Sequence, residues 1–176
     1  MKNFVISFLA ILLCLPLMIS CGKDGTDNPN NPDNPNNPVP DPEGTITLAV
    51  RNWDNGRTPI QPAECGGCFI IGSDNNFYDV NMYISTPQST WSFATVGQVS
   101  GLGNIKQIPT SGFSYAAAVK PGYGYVAKCI NNKWVDGEWV IVDTIYVRIY
   151  VDAWITSATT GGVMGATIKF QSPFVP

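Results

Sequence analysis

From Ile46 onward the chain alternates apolar and polar residues with a period of two. Ile46, Leu48 and Val50 share one side, while Thr47, Ala49 and Arg51 share the other. That period places side chains on opposite faces of a β-strand. Residues 77–84 and 91–99 are β-rich in the same way, and residues 123–130 follow. Phe69-Ile70-Ile71 also reads as a strand. Trp134-Val135-Asp136-Gly137-Glu138-Trp139 carries Asp-Gly, a strong two-residue hairpin signal. The clearest strand is 144–156, in which Ile145, Val147, Ile149, Val151, Ala153 and Ile155 are expected to point one way. A last strand covers 166–171. No stretch sustains a helical period, and Ala116-Ala117-Ala118 is too short and runs into Pro121. Short strands separated by Gly- and Pro-containing turns predict an all-β domain. An antiparallel β-sandwich, immunoglobulin-like or Greek-key, is the expected architecture, with a β-barrel as the alternative.

The pattern differs before residue 44. Lys2 precedes a run that is apolar from Phe4 to Ile19 except for Ser7 and Pro16, and Leu17-Met18-Ile19-Ser20-Cys21 closes it. The run is shorter than the ~20 residues of a spanning helix, and Pro16 disfavours a continuous one. A basic start, a short apolar stretch and a small residue before cysteine read as a lipoprotein signal over 1–20. Cys21 is then the lipidation site, because a thiol can take a thioether-linked diacylglycerol before cleavage. Acyl chains at ~0.8 kcal/mol per buried methylene make several together a lasting membrane anchor.

Residues 21–43 read as a tether. Prolines stand at 29, 32, 35 and 38, the three-residue repeat of polyproline II, among Asn and Asp. At ~3.1 Å per residue, the stretch from Cys21 to Gly44 would hold a domain up to roughly 70 Å from a membrane. The tether carries Lys23 against Asp24, Asp27, Asp33, Asp41 and Glu43. Residues 44–176 hold five Lys and three Arg against six Asp and two Glu, a balanced set. Composition therefore shows no basic patch, and no nucleic-acid partner is expected.

Several segments together resemble a known group. They are Val96-Gly97-Gln98-Val99-Ser100-Gly101-Leu102-Gly103-Asn104-Ile105, then Ile108-Pro109, and Pro121-Gly122-Tyr123-Gly124-Tyr125-Val126. Tyr146-Val147-Arg148-Ile149-Tyr150-Val151 and residues 161–171 complete the set. The chain is similar here to a family of Bacteroidetes lipoproteins carrying a domain of unknown function. The resemblance implies an exported lipoprotein and supplies no catalytic residues. Lys23 and Asp24 behind the lipid cysteine resemble the surface-export signal of such lipoproteins, in a form with fewer acids. Physically, the paired glycines at 101 and 103, and at 122 and 124, suit bulges or turns with positive φ.

Candidate chemistry is sparse. The chain has no histidine, which removes Ser-His-Asp and Cys-His catalysis and most zinc sites. No cofactor or metal is implied. Eight carboxylates in 44–176 leave a glycosidase as the least favoured reading, since no spacing selects an acid and base pair. Asp74-Asn75-Asn76-Phe77-Tyr78-Asp79 offers oxygen ligands to calcium but reads more simply as a polar turn. Cys65-Gly66-Gly67-Cys68 is expected to close a disulfide in an oxidising compartment, with Cys68–Cys129 as the rival pairing. A redox pair would need a helix after the first cysteine.

Two surfaces are candidates for ligand contact. On 144–156, Tyr146, Arg148, Tyr150, Asp152 and Trp154 alternate with the apolar set, placing aromatic rings roughly 13 Å apart along the strand. They would form a platform for sugar rings, unless the strand is covered on both faces, the commoner fate of large aromatics. Trp134 and Trp139 flank the Asp-Gly turn and form the second surface. Thr144, in Asp143-Thr144-Ile145, matches a short O-glycosylation acceptor motif of Bacteroides. The expectation is a non-enzymatic binding or adhesion module with a glycan ligand, exported and anchored to the outer membrane by its lipid, facing the cell exterior. The alternative is a structural component of an envelope assembly with a protein partner.

Overall fold

A computed structural model describes residues 39–83 and 88–176. Cys21, the segment expected to be a signal and the proline repeat through Pro38 lie outside the described residues, as does Ile84. Among the described residues, eight strands form two antiparallel sheets. They are β1 (Ile46–Arg51), β2 (Phe69–Ile71), β3 (Asn76–Asp79), β4 (Ser89–Gln98), β5 (Ala116–Ala118), β6 (Tyr123–Val135), β7 (Glu138–Thr156) and β8 (Val163–Gln171). The larger sheet has the order β1-β8-β7-β6-β4, the smaller β2-β3-β5. Neither closes into a barrel, so the architecture is the expected β-sandwich, with unequal layers.

The alternation explains the packing. Val50, Trp91, Phe93, Tyr125, Ala127, Cys129, Val147, Ile149, Val151, Ala166 and Ile168 line the inner face of the large sheet. Phe69, Ile71 and Phe77 meet them from the small sheet, with Ile60 and Val119 from the flanking loops. Phe69 is the hub, with ring centroids 4.8 Å from Trp91, 5.4 Å from Phe93 and 5.8 Å from Phe77. Each such buried side chain contributes ~1.5–3 kcal/mol. Truncation of Phe69 to alanine would cost ~3–5 kcal/mol.

Three local expectations need correcting. The strand expected over 77–84 stops at Asp79 and turns into a 3-10 segment, Val80–Tyr83, because Asp79 accepts the Asn81 N–H at 2.7 Å and curls the chain. Ala116–Ala118, set aside as too short for a helix, is β5. Of the paired glycines, Gly122 does take a positive φ of 77°, but Gly101 is extended at 170°. Gly103 is needed for close approach instead, since a Cβ there would stand 2.3 Å from the Pro40 carbonyl oxygen.

A fourth correction bears on the candidate platform. Across β7 and β8, Val151 pairs with Ile168 and Ala153 with Thr167, which leaves Asp152 as an extra residue. One inserted residue exchanges the faces of everything beyond it. Ala153 is therefore exposed and Ile155 lies outside the core, while Trp154 packs against it.

The outer face of the large sheet is also covered. Val126 is buried there with Leu102, Ile105 and Phe174, and Val99, Ile108, Phe113, Tyr146 and Tyr150 pack around them. Residues 39–43 join this cover: Val39 N–H donates to Asn104 Oδ1 at 3.2 Å, Lys169 pairs with Asp41 at 2.7 Å, and Gln171 donates to the Glu43 carbonyl at 2.8 Å. Residues 39–43 are thus docked on the β domain.

Candidate functional site

β6 and β7 run past the rest of the large sheet as a two-stranded arm. β4 begins at Ser89, opposite Asn131, and β8 reaches β7 only at Arg148, so among the described residues no strand flanks 132–142. At their start the Asn132 N–H donates to the Gln88 carbonyl, just before β4, at 2.8 Å. Asp136 (φ 50°) and Gly137 (φ 94°) form the tip, both with the positive φ of a type I′ turn. At the arm's base, Asn131 faces Asp143 but Asn132 faces Ile141, which leaves Val142 as a bulge. The bulge twists the arm away from the sheet plane.

Trp134 and Trp139 sit directly opposite each other on this arm, with ring centroids 5.3 Å apart in an edge-to-face contact. They are 55% and 37% exposed. Beside them lies an open cleft of about 640 Å³ walled by Ala63, Glu64, Cys65, Gly66, Gln88, Asn131, Asn132 and Lys133. Two indole rings stand next to amide, carboxylate and ammonium groups, a mixture that suits a ligand with an apolar face and hydroxyls at its rim.

The loop forming the far wall is pinned by one side chain. Asn131 Oδ1 accepts the Gly66 N–H at 2.9 Å, and Asn131 Nδ2 donates to the Glu64 carbonyl at 3.0 Å. Gly67 has no room for a side chain, because a Cβ would stand 2.3 Å from Ser89 Oγ. Gly67 therefore serves a close approach of the loop to β4, whereas a side chain at Gly66 would meet only ordinary contacts. The disulfide expected between Cys65 and Cys68 is not formed: Cys65, Cys68 and Cys129 are all free thiols. Cys65 and Cys129 share the main core, whereas Cys68 is half-buried with Asp79 and Arg57 as its charged neighbours. Burial foremost, with Asp79 adding to it and Arg57 opposing, raises the Cys68 thiol above its ordinary value.

The platform expected on β7 is not assembled. Tyr146 and Tyr150 pack beneath the 99–113 cover, whereas Trp154 lies on the opposite face, against the main core. Arg148 donates to Gln171 Oε1 at 2.6 Å and to the Ile105 carbonyl at 3.0 Å, and its Cζ lies 4.8 Å over the Phe174 ring. It fastens the cover to the sheet, and burial lowers its pKa. Asp152, the bulge residue, is exposed. Thr144 is exposed on β7, opposite Ile130.

A second, larger cleft of about 850 Å³ went unnoticed in the sequence. Trp53, Arg57, Ile70, Gly72, Ser73, Asp74, Tyr78, Asp79 and Val80 line it, with the Arg57 guanidinium 4.4 Å above the Trp53 ring. No motif links residues 53–57 to 70–80, so only folding brings them together. Its carboxylates are already engaged. Asp74 accepts from Tyr78 Oη at 2.7 Å and from Asn76 Nδ2 at 2.6 Å. Burial works to raise Asp74, but these bonds and the Asn76 N–H hold it below the usual carboxylate range. Asp54 accepts from Ser73 at 2.7 Å, and Asp79 accepts the Trp91 and Asn81 N–H groups at 2.9 and 2.7 Å. Asp74 and Asp79 thus complete a polar turn and its strand rather than a cation site.

The family model described as a domain of unknown function (DUF5036) matches residues 47–175, nearly all of the folded part. No curated protein and no solved structure matches the chain.

Proposed function

Taking as premise that this chain belongs to the DUF5036 family, whose description assigns no activity, we propose that it is a lipid-anchored binding module that takes a carbohydrate in the cleft beside the β6–β7 arm. The observation that carries this reading is the exposed Trp134–Trp139 pair beside Glu64, Gln88 and Lys133. The C–H face of a sugar ring stacks on an indole, and its equatorial hydroxyls reach amide and carboxylate groups at the rim. A cleft on a twisted arm suits a chain end or a branch better than a flat polymer face. Cys21 supplies the anchor in this proposal, and the proline repeat holds the domain off the outer membrane toward the cell exterior.

A glycan array probed with wild type and with Trp139→Ala tests the ligand. Binding by wild type that falls at least tenfold in the variant supports the reading; no binding to any glycan removes it. Replacing Cys21 with Ser tests the anchor, and protein retained in washed membranes would overturn it.

A second reading has its own observation. Ile141 and Val142 are 68% and 60% exposed on the same arm, whose outer edges pair with no strand among the described residues beyond Asn132. Such an edge can pair with a partner strand in an envelope assembly. Crosslinking in intact membranes discriminates, because this role requires a stoichiometric protein partner captured through residues 139–142.

A further inference from the structure

The arm's cleft is walled by a loop that holds a cysteine against a strand that holds another. Asn131 bonds the residues on both sides of Cys65, at Glu64 and at Gly66. Cys129 stands two positions before Asn131 on β6, so both side chains leave the same face of the strand. The Cys129 thiol donates at 3.4 Å to Asn131 Oδ1, the same oxygen that accepts the Gly66 N–H beside Cys65, and Cys65 and Cys129 are buried in one core cluster. Cys65 is 5% exposed and Cys129 fully buried. Cys68 is half-buried and lies outside that core cluster.

We propose that Cys65 and Cys129 are a disulfide-forming pair, and that oxidation staples the wall of the arm's cleft to β6. This pairing is neither of the two that the cysteine spacing suggests. The oxidant is a protein disulfide of the thiol–disulfide exchange class. One cysteine thiolate attacks a sulfur of that disulfide and releases the partner's first thiolate. The second cysteine thiolate then attacks the mixed disulfide, forms the Cys65–Cys129 bond and releases the partner's second thiolate. Two electrons and two protons pass to the oxidant, which leaves as a dithiol.

The order of events follows from the surroundings. The neighbouring Cys129 thiol, and then burial, push the Cys65 thiol well above its ordinary value. Thiolate is scarce once the loop has docked, so exchange belongs to the open loop, during folding. Once made, the bond is shielded from external thiols by the same burial. It also closes a long loop, from residue 65 to 129, and so removes much of the freedom of the unfolded chain. Its effect on the ligand cleft rests on the binding reading above; the bond does not.

The test is peptide mapping of the full chain isolated from membranes, alkylated before lysis and digested without reductant. A Cys65–Cys129 crosslinked peptide, with Cys68 alkylated, is the expected result. A Cys65–Cys68 or Cys68–Cys129 link, or three alkylated thiols, overturns the proposal. Thermal melts give a second measurement. Reductant should lower the Tm of wild type and of Cys68→Ser by on the order of 10 °C and leave that of Cys129→Ser unchanged; equal redox shifts in all three would overturn it. Neither readout needs a ligand, so failure of the carbohydrate reading and failure of the disulfide are separately visible. If both hold, reduction should also weaken glycan binding in wild type but not in Cys129→Ser.

Discussion

The hydroxyl of Tyr125 on β6 donates to the carbonyl of Ala118 on β5 at 2.7 Å and accepts the Lys120 N–H at 2.9 Å, tying the two sheets together. Tyr125→Phe keeps the ring among Phe77 and its neighbours but leaves both backbone groups without their partner. The expected loss is ~1–3 kcal/mol in urea unfolding at neutral pH.

The same phenol sets an alkaline limit. Burial pushes its pKa up to about 12, from an ordinary 10, with the Lys120 N–H opposing. The fold favours the neutral form, so this group's contribution is complete below pH 10 and is lost as pH rises to about 12. Unfolding curves at about pH 9 and about pH 11.5 should show wild type losing more stability than Tyr125→Phe, by up to ~3 kcal/mol. Parallel losses would refute the linkage.

Asp79 gives the corresponding acid-side prediction. Burial raises its carboxyl above the usual range, against the pull of the Trp91 and Asn81 N–H groups. A raised carboxyl contributes most at low pH, and that contribution is lost as pH rises through the folded value. Asp79→Asn, which keeps one acceptor oxygen, should destabilise by ~1–3 kcal/mol at neutral pH. The gap between wild type and variant should widen as pH falls toward 4, read by chemical denaturation across that range.

Arg148 should matter for stability and not for ligand. Arg148→Ala loses the bonds to Gln171 and Ile105 and the contact with Phe174. A loss of ~1–3 kcal/mol with unchanged glycan binding is expected. Reduced binding with an unchanged melting temperature would restore the β7 platform as a contact surface.

The arm should behave in the opposite way. Trp134→Ala and Trp139→Ala remove one half of an exposed pair, so each should cost no more than ~1 kcal/mol of stability. Calorimetric titration with a sugar found on the array should nonetheless show a large loss of affinity. Equal loss of folding and binding would reassign the pair to structure.

Much of this arrangement was legible along the chain. Period-two alternation located β1, β4, most of β6 and β7 from Thr144 to Val151, because burial of one face leaves an apolar residue at every second position. Asp136-Gly137 announced the hairpin, since few other dipeptides take two positive φ values in succession. The Trp134 and Trp139 contact followed from that turn. The Trp53–Arg57 cleft was hidden, because its walls come from separate segments that share no spacing.

Composition and local pattern were enough for the fold class, the balanced charge of residues 44–176 after an acidic stretch, the absence of histidine chemistry and the hairpin. These depend on neighbours a few residues apart, where strand geometry and turn conformation act directly. Tertiary structure alone decided which faces are covered and which cysteines meet. One extra residue at Asp152 turns Trp154 to the core, and the 99–113 segment folds over Tyr146 and Tyr150. Cys65 joins Cys129 in the main core and leaves its near neighbour Cys68 outside it, because Asn131 captures the backbone on either side of Cys65. Register shifts and long-range hydrogen bonds of this kind leave no periodic trace, so only the packed sheets reveal them.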